Sequence, residues 1–534
     1  MRLYIPPKLF VSPLPALTHG QHAHLGVVRL FTLLLSLLLS PAVFSQAVQT
    51  AAKLNEAVEQ AVMTSPDVQF AYKNYQAVVK ERDAAMGRFL PAVDFSYTAG
   101  QEDKADPIPN VIKNFSRNQT SLSLRQLLFD GGSAKSDVSR LDASINAKLF
   151  ELQNAANITA IETTKAYIDL IRYRALVTLS EDNYVAHKVI FEQLKLKANS
   201  GVGKRSDVEQ AQSRLALAEY NLNVEGSNLH DAEAKYQRYT GKLPPIGLDA
   251  NLPVDQGIPI SRLDALAKAQ LNNPSLLATV MDIKAQQSMI KMKAAAFAPR
   301  VEFKARQDNG ENLSGYIGQH RASVTEVVMS WNLFNGNTDT NLRRKEQDLL
   351  QAAENRRDLT CRNMRLELGI AYNDIRKMTE QLKYLDSRQI AIERARDAYR
   401  QQFEIGQRSL VDLLNSENEV FESKRMYTNI LQDRYYAYAR VHHHLGSLLQ
   451  LLNVERYGSK DAPLPEVQGE HFSELANACP LEAPNPYQAN HNNLNARATE
   501  LLLPPKNAIK PNPLNLDFMN LGEDGLSSSR PSNR

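Results

Sequence analysis

From Ser133 to Ser200 the chain contains neither glycine nor proline, and no other feature of the sequence restricts its fold as much. Leu141, Ile145, Leu149, Leu152 and Ala156 recur within it at three- and four-residue spacing, the period of one helix face. A helix of about seventy residues runs about 100 Å at ~1.5 Å per residue. Such a rod cannot fold back on itself, so its apolar stripe must be covered by other helices lying alongside. Beyond Gly201 a second series follows: Val208, Ala211, Leu215, Ala218, Leu222 and Leu229 fit the apolar positions of a heptad, with Glu225 interrupting it. Alanine, serine and threonine are common on these faces, which permits close helix packing.

The chain repeats itself. At an offset of 208 residues, Ala57, Ala61, Pro66, Ala77, Phe89, Pro91, Val93 and Phe95 meet Ala265, Ala269, Pro274, Ala285, Phe297, Pro299, Val301 and Phe303. The correspondence resumes after a small gap. QLLFDGG (126–132) meets NLFNGN (332–337), Ala166-Tyr167 meets Ala371-Tyr372, and GKRSDV (203–208) meets GQRSLV (406–411). The common order of these matches argues for an internal duplication. Each copy reads as helix, strand, loop, strand, Gly turn, very long helix, Gly turn, helix. The expected division is a leader over 1–45, a first repeat over 46–256, a second over 257–456 and a tail over 457–534.

Short strand patterns interrupt this helical chain twice. Val93, Phe95, Tyr97 and Ala99 alternate with Asp94, Ser96 and Thr98, and Val301, Phe303 and Ala305 alternate with Glu302, Lys304 and Arg306. Partner strands follow in 121–132 and 323–337; in the latter Val327, Met329, Trp331 and Leu333 alternate with more polar positions, imperfectly because of Val328. Pro91 and Pro299 stand where a helix gives way to a strand, a natural place for a residue that ends helices. Two hairpins supply four strands, too few to close a barrel, and an open edge is unsatisfied in lipid. The sequence therefore predicts that several copies share one β-barrel, apolar face outward and polar face lining a lumen. The residues expected to face lipid are Val93, Phe95, Tyr97, Val301, Phe303 and Trp331.

Bulk properties narrow the class. Lys and Arg number 62 against 59 Asp and Glu, so the overall field does not argue for nucleic acid. One apolar run stands out, in RLFTLLLSLLLSPAVFSQA from Arg29; its core, Phe31 to Leu39, is too short to span a bilayer as a helix. A preceding basic residue and the small-residue sites Val43-Phe44-Ser45 or Ser45-Gln46-Ala47 make it read as a secretory signal, with an N-terminal anchor or a buried helix as the alternatives; the 28 residues before it are long for such a signal and point to a misassigned start site. The only cysteines, Cys361 and Cys479, lie far from that site and far from each other, so they read as incidental and leave no cysteine for lipid attachment near the leader. From about Asp461 proline and asparagine dominate and periodicity vanishes, the composition of a disordered tail.

The ordered set of FLPAVDF and FAPRVEF, LLFDGG and NLFNGN, and the turns SGVGKRSDVEQAQ (200–212) and EIGQRSLVDLLNSEN (404–418) resembles the TolC family of outer-membrane channel proteins over about residues 50–456. The resemblance implies an α+β membrane protein: a homotrimer with a twelve-stranded outer-membrane β-barrel, four strands per chain, continued by a twelve-helix periplasmic tunnel. It also implies a closed periplasmic tip at the two helix–helix turns. There a membrane-fusion adaptor and an inner-membrane transporter, either an ABC transporter or a proton-driven pump, would engage. The family's entrance is held by an aromatic, an Arg and two Asp; carried over, these fall on Phe403, Arg408 and Asp412, while Asn415 stands at the second acidic position. Asp207 matches the usual partner of the Arg, and Gly203 and Gly406 mark the turns. The bland reading makes Asp207 and Asp412 capping residues near helix starts.

Other signals point elsewhere weakly. GVGKRS (201–206) lacks the Ser or Thr after Lys and the upstream Gly of a phosphate loop. His442, His443 and His444 are adjacent on a helix and so diverge, which suits packing better than metal binding. Tyr435, Tyr436 and Tyr438 read as helix-packing residues. No catalytic constellation, cofactor or metal site is expected. The function implied is a passive outer-membrane exit duct, for type I protein secretion with an ABC transporter or for small-molecule efflux. A non-channel coiled-coil scaffold of the envelope is the remaining alternative.

Overall fold

The computed structural model describes residues 53–103, 114–313, 317–461, 463, 479–480 and 487–502. The expected leader with its cleavage site and most of the tail lie outside them. The first repeat contains α1 (Leu54–Thr64), α2 (Pro66–Met86), β1 (Ala92–Asp103), β2 (Asn114–Phe129), α3 (Ser133–Asn199) and α4 (Arg205–Thr240). The second contains α5 (Arg262–Asn272), α6 (Pro274–Ala294), β3 (Arg300–Glu311), β4 (Gln319–Ser330), α7 (Thr338–Glu404) and α8 (Leu410–Leu445). Short α9 (Leu448–Leu451) and α10 (His491–Leu502) complete the set. The duplication is nearly residue for residue: α1 and α5 each have 11 residues, α2 and α6 have 21, α3 and α7 have 67, and α4 and α8 have 36. Only the second hairpin strands differ, with 16 residues in β2 and 12 in β4.

Local chemistry sets these boundaries. Pro66 and Pro274 open α2 and α6, where a missing N–H costs nothing because the first helical N–H groups have no partner within the helix. Asn273 adds a cap by accepting from the Leu276 N–H at 3.1 Å. Each of α2 and α6 ends in a short 3₁₀ turn, Gly87–Phe89 or Ala295–Phe297, after which Pro91 or Pro299 turns the chain into a strand.

The long helix α3 is the spine. Leu152, Tyr167, Ile168 and Leu170 on it are 0% exposed and form one core with Val58 of α1, Val68 of α2, Tyr236 of α4 and Leu448 of α9. A second core forms where Phe150 of α3 meets Leu266 of α5, Leu276 of α6, and Cys361 and Leu368 of α7. These two cores make a waist from which α3–α4 and α7–α8 continue as bare helical hairpins. On α4 the buried seam is Ala211, Ala218, Glu225 and Ala232, a strict seven-residue repeat. Glu225 therefore occupies a seam position and does not interrupt the heptad. Its carboxylate is held by Arg425 of α8 at 2.9 Å and accepts from the Asn228 side chain at 3.1 Å.

The four strands form one antiparallel sheet in the order β1-β2-β3-β4. Register joins the two alternations across the repeats: Phe95 faces Leu122, Leu122 faces Gln307, Leu124 faces Ala305, and Phe303 faces Val327. One face thus carries Val93, Phe95, Tyr97, Leu122, Leu124, Val301, Phe303, Val327 and Met329, and the opposite face carries Asp94, Ser96, Ser121, Ser123, Glu302, Lys304, Arg306 and Glu326. A shift between Leu127 and Phe129 keeps Phe129 opposite Val301. Phe95 is 69% exposed and Val93 62%, so the apolar face lies open along β1, whereas Val301 and Phe303 on the inner strand β3 are only half-exposed. Trp331 falls one residue past β4; its indole N–H donates to the Phe297 carbonyl at 3.1 Å, fixing it at the rim of the sheet.

Two readings of the C-terminal region need correction. Cys361 and Cys479 are not incidental: they are joined in a disulfide, with Cα atoms 5.8 Å apart. Sequence distance carries no information on spatial distance once α7 and α8 fold back on each other. The tail is also not uniformly without structure, because His491–Leu502 is helical. That stretch lacks Pro and Gly, and the Asn490 side chain accepts from the Asn493 N–H at 3.0 Å to start it.

The histidine triplet closes α8. His442 Nε2 lies 2.9 Å from the Gln256 carbonyl, which can only accept, so Nε2 carries the proton and Nδ1 accepts from the Ser447 hydroxyl at 2.9 Å. Asn157 of α3 and Asn273 donate to the His443 and His444 carbonyls at 2.8 and 3.0 Å, satisfying acceptors at the helix end. Burial pushes all three rings toward the neutral form, His444 to about 3 from 6.5, with the His443 and Arg440 charges adding to its shift. The folded state thus binds fewer protons than the unfolded one. Stability from these groups is complete above pH 6.5 and falls as pH drops toward about 3. Thermal melts across that window should lose on the order of a few kcal/mol, and a His444→Gln variant should flatten the pH slope.

Candidate functional site

The two hairpin turns lie at the end of the molecule away from the sheet. Both are built alike: α3 and α7 each end with a left-handed glycine, Gly201 at φ 79° and Gly406 at φ 77°. In the first turn the Gly201 N–H reaches the Ala198 carbonyl and the Val202 N–H the Lys197 carbonyl, both at 3.1 Å. In the second, Gly406 reaches Phe403 at 3.1 Å and Gln407 reaches Gln402 at 2.8 Å. This is the paired closure of a Schellman turn. The structural equivalent of Gly406 is therefore Gly201, and not Gly203 as the aligned GKRSDV and GQRSLV suggest. Gly203 has a different reason to lack a side chain: a Cβ there would lie 2.9 Å from the Ala198 nitrogen. The corrected register places Asp207 and Asp412 at the same point, the third residue of α4 and of α8.

The turns share a small core of Ile190, Leu194, Ala211, Leu410, Leu413 and Leu414, with Phe403 packed against it. Lys197 of α3 sits 5.6 Å above the Phe403 ring, so the aromatic contacts both hairpins. Arg408 stacks over Tyr399 at 4.2 Å, donates from Nε to Gln402 Oε1 at 3.1 Å and lies 3.6 Å from Asp412. Asp412 also accepts from the Ser409 hydroxyl at 2.9 Å, and its own N–H donates to Ser409 Oγ at 3.2 Å. It is thus part of a helix cap and of the charge cluster at once. Asn415 accepts from Arg214 of α4 at 2.9 Å, so an amide oxygen takes the cross-hairpin bond at that position.

Phe403, Arg408 and Asp412 are brought together within one chain. Asp207 is not joined to Arg408 there; it accepts from the neighbouring Ser206 hydroxyl at 3.5 Å. Sequence reasoning missed the strongest polar contact nearby. Glu417 of α8 is 4% exposed and is gripped by Arg396 at 3.2 Å and by Arg400, both on α7. Arg396 and Arg400 are one turn apart near the end of α7, at about the distance from the turn at which Glu417 follows it on α8, which was the available signal. His187 of α3, 2% exposed, is held below its ordinary pKa by burial, against the pull of the Glu417 charge. Among the described residues no group of three or more His, Cys, Asp or Glu is placed to hold a metal ion. What this tip offers is a latch of stacked rings and ion pairs between antiparallel helices.

A two-faced four-stranded sheet, continued by twin helical hairpins closed at their far ends, defines a subunit of an outer-membrane channel. The profile of the family described as outer membrane efflux protein matches residues 57–242 and again 265–447, one match per repeat, and the chain belongs to that family, whose place is the outer membrane. The outer membrane efflux protein BepC of Brucella suis is 24% identical over 302 residues, covering 56% of this chain and 65% of BepC. The outer membrane protein TolC of Escherichia coli is 20% identical over 421 residues, covering 75% of this chain and 83% of TolC. The solved outer-membrane channel OprN superposes with a TM-score of 0.65 at 21% identity, covering 74% of this chain and 89% of OprN. The chain thus spans just under two thirds of BepC and most of the other two.

Breaking the Glu417 clamp tests the latch. Glu417→Ala leaves the Arg396 guanidinium half-desolvated and should cost about 1.5–3 kcal/mol in denaturant unfolding followed by helical circular dichroism. Asp412→Ala, with a partly exposed partner, should cost below ~1 kcal/mol.

Proposed function

We propose that three copies of this chain close a twelve-stranded barrel and form a passive exit duct through the outer membrane. The observation that carries this is the sheet: β1 and β4 are its edges, one face is apolar and open, and the other is charged. Lipid leaves no partner for an unpaired strand edge, so β4 of one copy pairs with β1 of the next until the ring closes. Twelve-residue strands are long enough to cross the hydrocarbon when tilted. The four long helices of each copy continue the ring as a periplasmic tunnel. Energy comes from an inner-membrane transporter, coupled through a membrane-fusion adaptor at the tip.

At that tip the three copies gather three Asp412 carboxylates about one axis, with Arg408 and Phe403 beside them as the gate. Asp207, whose carboxylate accepts from Ser206 within a protomer, pairs with Arg408 of an adjacent copy in this reading. Asn415 in place of a second carboxylate gives this gate one acidic ring instead of two. The cargo reading we favour is type I protein secretion with an ABC transporter, supported by the engagement of both cysteines away from the leader, which leaves none for a lipid anchor. A second reading, small-molecule efflux with a proton-driven pump, is supported by the name of the relative BepC.

Planar-bilayer recordings of the purified protein should give a small cation-selective conductance with divalent-cation block. Asp412→Ala should raise the conductance severalfold or abolish the block. A pore unchanged by the substitution would remove Asp412 from the gate, and a folded trimer without conductance even after the tip contacts are loosened would remove the duct. Deleting the gene should remove a discrete protein from the culture medium while leaving drug susceptibility unchanged; the opposite pattern would assign the channel to efflux.

A further inference from the structure

The two cysteines lie deep inside the waist, Cys361 at 1% exposure and Cys479 at 0%. Both belong to the second core, with Ala265, Leu266 and Ala269 of α5 and Met364 and Leu368 of α7. The buried side chain of Gln270 on α5 donates to the Cys479 carbonyl. The C-terminal segment is therefore seated on α5 by a hydrogen bond and bonded covalently to α7 at one and the same residue. Earlier along that segment the contacts are with the other repeat. Val454 is part of the first core, Tyr457 packs edge-on against Tyr72 of α2 at 5.2 Å, and the Tyr72 hydroxyl donates to Asp461 at 3.1 Å. The chain is thus fixed at Asp461 to the first core and at Cys479 to the second.

We propose that Cys479 is a clasp at the waist, its bond to Cys361 and its hydrogen bond from Gln270 holding α5 and α7 together. It secures α5 of the second repeat to α7. The position on α7 matters mechanically. From Cys361 to Glu404 that helix runs on for about 65 Å at ~1.5 Å per residue. The clasp immobilises α7 at the waist and confines any movement of the hairpin to the stretch beyond it. Only the outer-membrane location is assumed, because the space beneath that membrane is where disulfides form and persist. Closing the clasp removes two electrons and two protons from the two thiols. A disulfide-carrying thiol oxidase of the periplasm accepts them and leaves as a dithiol.

The test uses the full-length protein extracted from outer membranes in detergent. Maleimide labelling after denaturation should modify neither cysteine without reductant and both with it, and peptide mapping should recover a linked pair containing residues 361 and 479. Labelling of either thiol without reductant would overturn the proposal. Amide hydrogen exchange is then compared before and after reduction of the already folded protein, which avoids any folding defect of a variant. Exchange in α5 and around Cys361 should rise at least tenfold on reduction, while the tip turns 200–204 and 405–409 keep their rates. Unchanged exchange in α5 would overturn the clasp even with the bond present. Cys479→Ser should reproduce the reduced pattern. Gln270→Ala, which keeps the bond, should show a smaller rise confined to α5; no rise would remove Gln270 from the seat.

Discussion

The fold depends on the inability of one very long helix to bury its own apolar stripe. α3 has 67 residues, and along them it meets α1, α2, α6, α4 and α8. Isolated helical hairpins gain little, because their seams are narrow and lined with alanine, as at Ala211 and Ala218. The large side chains are concentrated at the waist, where Tyr167, Ile168 and Leu170 pack against both neighbouring short helices and α4. Stability is therefore unevenly distributed: dense in the middle, sparse toward the tip.

The polar contacts follow the same gradient. Where packing is thin, charge keeps the hairpins in register, through Glu225 with Arg425 and Glu417 with Arg396 and Arg400. Both glutamates are buried, so each fixes the relative heights of two helices at a cost if either partner is lost. Arg408 and Asp412, by contrast, are exposed enough that water screens them, and such a pair contributes about 0–1 kcal/mol. Contacts of that strength are easily exchanged for others.

Features with a local cause were legible in the sequence. The ends of α3 follow from the glycines around it, the starts of α2 and α6 from Pro66 and Pro274, and the two faces of the sheet from alternation at Val93 to Ala99 and Val301 to Ala305. Errors arose wherever the cause is a contact between distant segments. The seam position of Glu225 depends on Arg425, 200 residues away, and the bond between Cys361 and Cys479 depends on how α8 returns to the waist. The tip turns misled for a related reason. Their letters align best at Gly203 with Gly406, while the backbone needs a left-handed residue two positions after each helix, which selects Gly201. At the tip the Arg408–Asp412 pair was readable from its four-residue spacing on one turn, whereas the grip of Arg396 and Arg400 on Glu417 was not, because it depends on how α7 and α8 pair.

The equal lengths of α3 and α7 also limit how the molecule can change in evolution. Adding one residue to either helix turns everything beyond it by about 100° and advances it by about 1.5 Å. The added turn would swing the seam away from its partner and break the buried charge pairs at the same stroke. Growth or shortening is harmless only in steps near seven residues, made in each arm of both hairpins together. The reach from membrane to tip is thus quantised, and a lineage that needed a longer tunnel would have to acquire it as whole heptads inserted in matched sets.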